Sequence, residues 1–511
     1  MALASKENAL SQPENAALVD ERTSVTWKTL DQITNRATNA MLALSATRVA
    51  IFAPNCMEVA VAHLGGLHAG VSTVPVNYHL TDSEVAYMLR VSGARAIFTG
   101  PENLAVALSA SSMAGGVQVI AWRCRSEPGV VRWEEFIEGA SASEPPTDLP
   151  ARPHLHFTSG TTGLPKAVET PPYMFPRVGT VEDLFSERRR AVDLLGDRSP
   201  TLVVGPLYHA GPMASIRMLA AGKPIVLLSR FEPEATLSAI ARHRIKSVMM
   251  VPTHFQRLLA LPEAVRARYD VSSLTHVLHS GAACPPDVKR KMIAWFGPIL
   301  TEVYGATEGG VVCSITSEEW LRKPGSVGRP LSTHEVIVVT EGGKRASSNE
   351  RGQLYFRDKS GWRFEYLGSD AMEAEPEPEP GAFSFGEIGY VDDDGYVFIT
   401  DRASDMIVSG GVNIYPAEVE QVLLRHADVD DVAVLGVPDG DLGEAVRALV
   451  VPRDPELPPS TADLDKFCRA HLAGFKCPRS YEFVGSVGRN AAGKINKREL
   501  RRRYWPASAG A

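Results

Sequence analysis

The sequence predicts an α/β protein, with a large amino-terminal domain of α/β layers holding mixed sheets and a small α+β carboxy-terminal domain. Three observations carry that expectation. Short β-branched runs alternate with amphipathic stretches, the mark of βαβ units with helices on both faces of a sheet. Near residue 400 this gives way to a hairpin signature, Asp-Asp-Asp-Gly between alternating apolar runs in GYVDDDGYVFITDR. A length of 511 residues, 44% of them hydrophobic, is enough for more than one packed core.

Taken in order, RVAIFAP (48–54) reads as a buried strand, CMEVAVAHLGGLHAG (56–70) as a helix closed by glycine, and VSTVPVN (71–77) as the next strand. Together they form one βαβ unit, which makes the sheet parallel. TLVVGPL (201–207), KPIVLLS (223–229) and SVMMVP (247–252) repeat the pattern, each followed by helix-like sequence. Beyond the hairpin, DVAVLGVP and RALVVPRD read as a strand pair among shorter helices. The boundary is placed at Asp401, giving domains 1–400 and 401–511. EAEPEPEPG (373–381) is acidic and proline-interrupted, the composition of a solvated loop.

A net charge of −7, with no excess of Lys and Arg, offers no basic surface for nucleic acid or an anionic membrane. No apolar run nears the roughly 18 residues of an integral membrane segment. MALASKENALSQPEN lacks the basic start and apolar core of a secretory signal. The six cysteines (Cys56, Cys124, Cys284, Cys313, Cys468 and Cys477) form no C-x-x-C pair and no zinc-spaced cluster. A reducing, cytoplasmic location is the expectation.

The stretch FTSGTTGLPKAV (157–168) is poor helix and poor strand. Such a loop can wrap polyphosphate oxygens with backbone N–H and side-chain O–H donors, while a lysine adds charge. It is not a Walker A loop, because the fifth residue after Gly160 is Pro165 and Ala167 follows Lys166.

TSGTTGLPK resembles the phosphate loop of the adenylate-forming superfamily, which holds acyl-CoA synthetases, luciferases and peptide-synthetase adenylation domains. PLYHAGP (206–212), HSGAACP (279–285), EVYGATEGG (302–310), the segment 389–420, GFKCPR (474–479) and GRNAAGKINKREL (488–500) follow in that family's order. The resemblance covers nearly the whole chain. It implies attack of a carboxylate on the α-phosphate of ATP, loss of pyrophosphate, and displacement of AMP by a thiol, usually coenzyme A.

By that resemblance Thr158, Ser159, Gly160, Thr161, Thr162, Gly163 and Lys166 form the loop over the β- and γ-phosphates. Ser280, Gly281 and Ala282 run beside the adenine, where small residues permit close approach. Tyr304 offers the adenine an aromatic face, with Gly305 beside it. Thr307 would donate to the α-phosphate, and Glu308 supplies a hard oxygen for Mg²⁺. His209 lines the acyl pocket and contacts the reacting carboxylate, with Met213 and Gly309 as further pocket walls. Arg402 would bind the ribose hydroxyls, and Asp401 takes the hinge position about which the mobile small domain swings. Lys494 would reach both carboxylate and α-phosphate, a long point charge for the developing negative charge. In the other pose Ser409, Gly410 and Gly411 face the site and leave room for a pantetheine arm.

The chain departs from the family at three places. Phe385-Gly386-Glu387 replaces the usual T-G-D, so the ribose carboxylate at Glu387 is one methylene longer. The acidic insert precedes it, and Val487-Gly488-Arg489 replaces Leu-Pro-Arg. The function read from the sequence is ATP-dependent adenylation of a carboxylic acid followed by transfer to coenzyme A, an AMP-forming acid–thiol ligase. The alternative keeps adenylation with a carrier protein, an amine, or nitrite activation for diazo formation. A scaffold without catalysis fits poorly, because Lys494, Glu308 and the phosphate loop are intact. Neither the acid nor the oligomeric state is written in the sequence.

Overall fold

Parallel pairing starts where the sequence expects it. Arg48–Phe52 lies beside Ser72–Pro75 with Ala50 opposite Val74, and the helix Met57–His68 makes the crossover. The computed structural model describes residues 4–158, 165–172, 174–195, 198–367, 377–402, 405–409, 412–439, 442–472, 474–490 and 493–505. The crossover helix is apolar almost all round and buried on every face, as such a helix must be. Its glycine pair allows that packing. A Cβ at Gly66 would stand 2.4 Å from Thr73 Cγ2, and one at Gly65 would stand 3.0 Å from Ala37 Cβ.

This unit belongs to a five-stranded parallel sheet completed by Ala96–Thr99, Gln118–Ala121 and Val130–Arg132. A nine-stranded sheet carries the other predicted strands. Leu202 faces Val226 on one side and Val248 on the other, all parallel. His276–His279 and Leu300–Ala306 extend its parallel core, and Gly310–Thr316 folds back antiparallel. The sheets of the large domain are therefore mixed.

The Asp-Asp-Asp-Gly segment turns a hairpin between Glu387–Val391 and Val397–Arg402. Gly395 takes φ +81°, and Lys323 holds the turn by Asp392 at 2.8 Å and Asp394 at 2.5 Å. The hairpin joins His334–Val339 and Gly352–Asp358 in an antiparallel sheet. Asp401 thus falls inside the last strand of that sheet, and the next sheet begins at Ile407. That sheet pairs Val429–Asp439 with Gly443–Pro452 and packs helices Pro416–Leu423 and Thr461–His471 over a core including Val419, Val434, Val450 and Leu464.

Residues 373–376 of the acidic segment lie outside the described residues, and the end that is described is solvated as expected, with Glu377, Pro378 and Pro380 exposed. Glu379 pairs with Arg345 and Arg357, and Glu377 with Arg363, which ties the segment onto the antiparallel sheet. The six cysteines are free thiols, and no helix among the described residues is long and apolar enough to cross a membrane.

Candidate active site

The phosphate-loop segment closes a β-hairpin. Thr158 ends the strand Leu155–Thr158, Lys166 opens Lys166–Glu169, and the two residues are cross-strand partners. Ser159, Gly160, Thr161, Thr162 and Gly163 lie outside the described residues. A short strand, Tyr366–Leu367, pairs with the Lys166 strand and sets Tyr366 opposite Val168. The Lys166 ammonium stands 5.0 Å from the Tyr366 ring centre, and the Tyr366 hydroxyl lies 3.5 Å from Glu308 Oε1. Tyr366 therefore links the lysine of the loop to the expected metal ligand.

Two parallel neighbours supply the expected adenine side. His276–His279 runs into Ser280, Gly281 and Ala282, and Leu300–Ala306 carries Tyr304 and Gly305 into the turn of Thr307, Glu308 and Gly309. Carboxyl ends of parallel strands are where ligands bind in such sheets. Gly305 is obligatory, since a Cβ there would stand 1.9 Å from the Gly310 carbonyl oxygen. Beneath the strands Lys289 meets Glu302 at 2.5 Å, fully buried, with the neutral His279 at 3.6 Å. Burial pushes the Glu302 carboxyl up and the Lys289 ammonium down, each opposed by the other's charge.

His209 caps the helix Ala210–Ala220, and Met213 one turn on is fully buried, its N–H bonded to the His209 carbonyl. The buried Asn55 fixes the segment before it, accepting from Leu207 N at 2.8 Å and donating to the carbonyls of Gly205 and Leu228. Burial lowers the His209 pKa to about 4, and the Lys494 charge pushes the same way. His209 is thus a neutral imidazole, and Lys494 reaches it electrostatically from the other domain.

That reach has a structural origin. Lys494 sits in a tight turn in which its N–H bonds to Asn490 Oδ1 at 3.0 Å and its carbonyl accepts from Asn490 N at 2.9 Å. Arg489 braces the turn, with 2.7 Å contacts to both Asp431 oxygens and a 2.8 Å bond to the Gly493 carbonyl. Gly493 packs against Thr253, just beyond the strand Ser247–Met250 of the large sheet.

Arg402 is the cross-strand partner of Glu387, and Asp401 of Ile388, so the two expected ribose ligands are backbone neighbours. The side chains of Asp401 and Arg402, and all of Gly410 and Gly411, lie outside the described residues, while Ser409 closes a strand. Sequence reasoning missed Tyr366 and Asn55, and it met Phe385 and Arg489 only as members of departing motifs, without assigning either a role.

The sequence model of the AMP-binding enzyme family matches residues 5–363, and that of the AMP-binding enzyme C-terminal domain matches residues 418–494. Feruloyl-CoA synthase of Amycolatopsis is 32% identical across 97% of each chain. An octahydro-indenyl propanoyl:CoA ligase of Mycobacterium tuberculosis is 33% identical across 96% of each. The solved structure of o-succinylbenzoate coenzyme A synthetase from Bacillus subtilis, in complex with ATP and a magnesium ion, superposes with a TM-score of 0.78 at 26% identity over 99% of both chains. The chain belongs to the AMP-binding enzyme family, within the adenylate-forming superfamily, and is an acyl-CoA synthetase-like ligase.

Proposed function

We propose that the chain adenylates a carboxylic acid with ATP and passes the acyl group to coenzyme A, releasing pyrophosphate and AMP. The observation that carries this is the packing of Gly493, the residue before Lys494, against Thr253 of the large domain, with the Lys494 charge acting on His209 in the same direction as burial. One pocket then holds a cation for a carboxylate–phosphate reaction and a neutral imidazole able to donate to the carboxylate.

In the first step the acid's carboxylate oxygen attacks the α-phosphorus and the bond to pyrophosphate breaks. Lys494 stabilises the charge on the entering oxygen and on the phosphoryl oxygens, while His209 orients the carboxylate. Thr307, Thr158, Lys166 and the loop between them, including Ser159, Gly160, Thr161, Thr162 and Gly163, hold the phosphates. Tyr304, Gly305, Ser280, Gly281 and Ala282 hold the adenine, and Glu387 with Arg402 the ribose. Glu308 would hold Mg²⁺, which when bound would supply positive charge against the phosphates. A single hard carboxylate oxygen is a donor set that fits such an ion. No cluster of three acidic, His or Cys groups occurs among the described residues, so no all-protein metal cage competes with this reading. In the second step the small domain turns about Asp401, the thiol of coenzyme A attacks the acyl carbonyl, and AMP leaves.

The coenzyme A ligases among the relatives favour coenzyme A as the acceptor, while a fatty acid–[acyl-carrier-protein] ligase and an amide bond synthetase are also similar to the chain. The test measures pyrophosphate release with ATP and a panel of aryl, fatty and polycyclic acids, comparing wild type with Lys494→Ala, then adds coenzyme A and assays the thioester. Release with nitrite and with no acid would overturn the ligase reading.

A further inference from the structure

The two departures at Phe385 and Glu387 converge on one side chain. The Tyr304 hydroxyl donates to Glu387 Oε2 at 2.8 Å. Phe385 meets the Tyr304 ring edge-on, centres 6.1 Å apart at 71°, and stacks on Phe356, whose ring lies 5.8 Å from Tyr304. Phe385 also closes over the turn that bears Glu308, since a Cβ on Gly309 would stand 2.6 Å from Phe385 Cζ. Gly386 between them takes φ +84°, which turns both side chains toward Tyr304. Glu387 is 7% exposed and starts its strand opposite Arg402.

A glutamate has one more rotatable bond than the aspartate the family places here, so its carboxylate needs a second anchor to hold one position. We infer that the Tyr304 hydroxyl is that anchor: it is a positioning group that holds one oxygen of Glu387 and leaves the other on the ribose side. A hydrogen bond to a charged acceptor is strong enough for this task. Tyr304 then has two jobs, a ring face toward adenine and a hydroxyl that sets the ribose carboxylate. Phe385 keeps the ring where both can be done. The inference rests on the reading of residue 387 as a ribose ligand.

The test is calorimetric titration of the full chain with AMP and with 2′,3′-dideoxy-AMP, which needs no knowledge of the acid. Four proteins are compared: wild type, Tyr304→Phe, Glu387→Asp and the double variant. Phenylalanine keeps the ring, and unchanged thermal unfolding certifies the fold. Tyr304→Phe should weaken AMP at least about tenfold when residue 387 is Glu, the effect of one hydrogen bond to a charged group, and less than about twofold when it is Asp. Binding of the dideoxy nucleotide should not respond to Tyr304→Phe in either background. Equal losses in both backgrounds, or equal losses for both nucleotides, would overturn the coupling. Wild type that binds no AMP would instead overturn the nucleotide-site reading and the inference with it.

Discussion

Gly493 and Thr253 touch across the two domains so closely that a Cβ on residue 493 would stand 2.5 Å from Thr253 Oγ1. Gly493 also takes φ +74°, where a side chain costs on the order of 1 kcal/mol. Because Lys494 is the next residue, this contact would set how deeply the lysine enters the site under the proposed function. Gly493→Ala should therefore slow adenylation at least about tenfold, a misplacement effect, while thioester formation from a supplied acyl-adenylate stays within about twofold. Adding Thr253→Ala should restore part of the first step. Equal loss in both half-reactions would show that the contact does not select the pose.

His209 has its pKa lowered to about 4, first by burial and then by the Lys494 charge. A base that weak is a poor proton acceptor at neutral pH, which agrees with the orienting role proposed for it. The adenylation rate should show no inflection from His209 between about pH 5.5 and 8. His209→Ala should act mainly on KM for the acid. Lys494→Met should raise the His209 pKa, because it removes one of the two causes holding it down. Titration of the imidazole by NMR checks the direction, and a pKa unmoved or lowered would separate the two residues.

Much of this was legible in the sequence, for identifiable reasons. The βαβ unit at 48–77 was readable because apolar runs and a glycine-closed helix follow local periodicity, and the hairpin because Asp-Asp-Asp-Gly demands a turn. Phosphate-loop, Glu308 and Lys494 positions rested on motif resemblance, since no local rule brings 494 toward 209. What stayed hidden depends on contacts between distant segments. Tyr366 meets Glu308 only because a two-residue strand docks on the Lys166 strand, and Glu377 and Glu379 find their arginines only in the folded sheet. Asn55 is a single polar residue whose three partners lie about 150 or more positions away.

Glu302 of the buried Lys289–Glu302 pair lies two residues before Tyr304, on the strand expected to carry the adenine side. Removing one partner leaves an uncompensated charge, so Lys289→Met should cost about 3–5 kcal/mol. Replacing both, as in Lys289→Met with Glu302→Leu, should cost far less than the sum of the single changes. Urea unfolding of the three variants measures this. Additive losses would mean that the two groups do not act as a pair.

Acid should destabilise the large domain through its buried histidines. His63, His68, His156 and His254 each have a pKa of about 3, pushed down chiefly by burial, against 6.5 when unfolded. Between those values the unfolded chain binds more protons, so the stability is fully present above about pH 6.5 and is lost as pH falls toward 3. Each contributes a loss on the order of 1–2 kcal/mol by about pH 5. His68 isolates the effect. Neither of its ring nitrogens has a hydrogen-bond partner among the described residues, and it packs edge-on to Phe185 at 4.6 Å. His68→Leu should leave stability at pH 8 equal to or above wild type, because no hydrogen bond is broken. It should also flatten the decline between pH 6.5 and 5. Denaturant unfolding across that range decides it, and identical slopes in the two proteins would mean that the His68 imidazole already carries a proton in the folded chain.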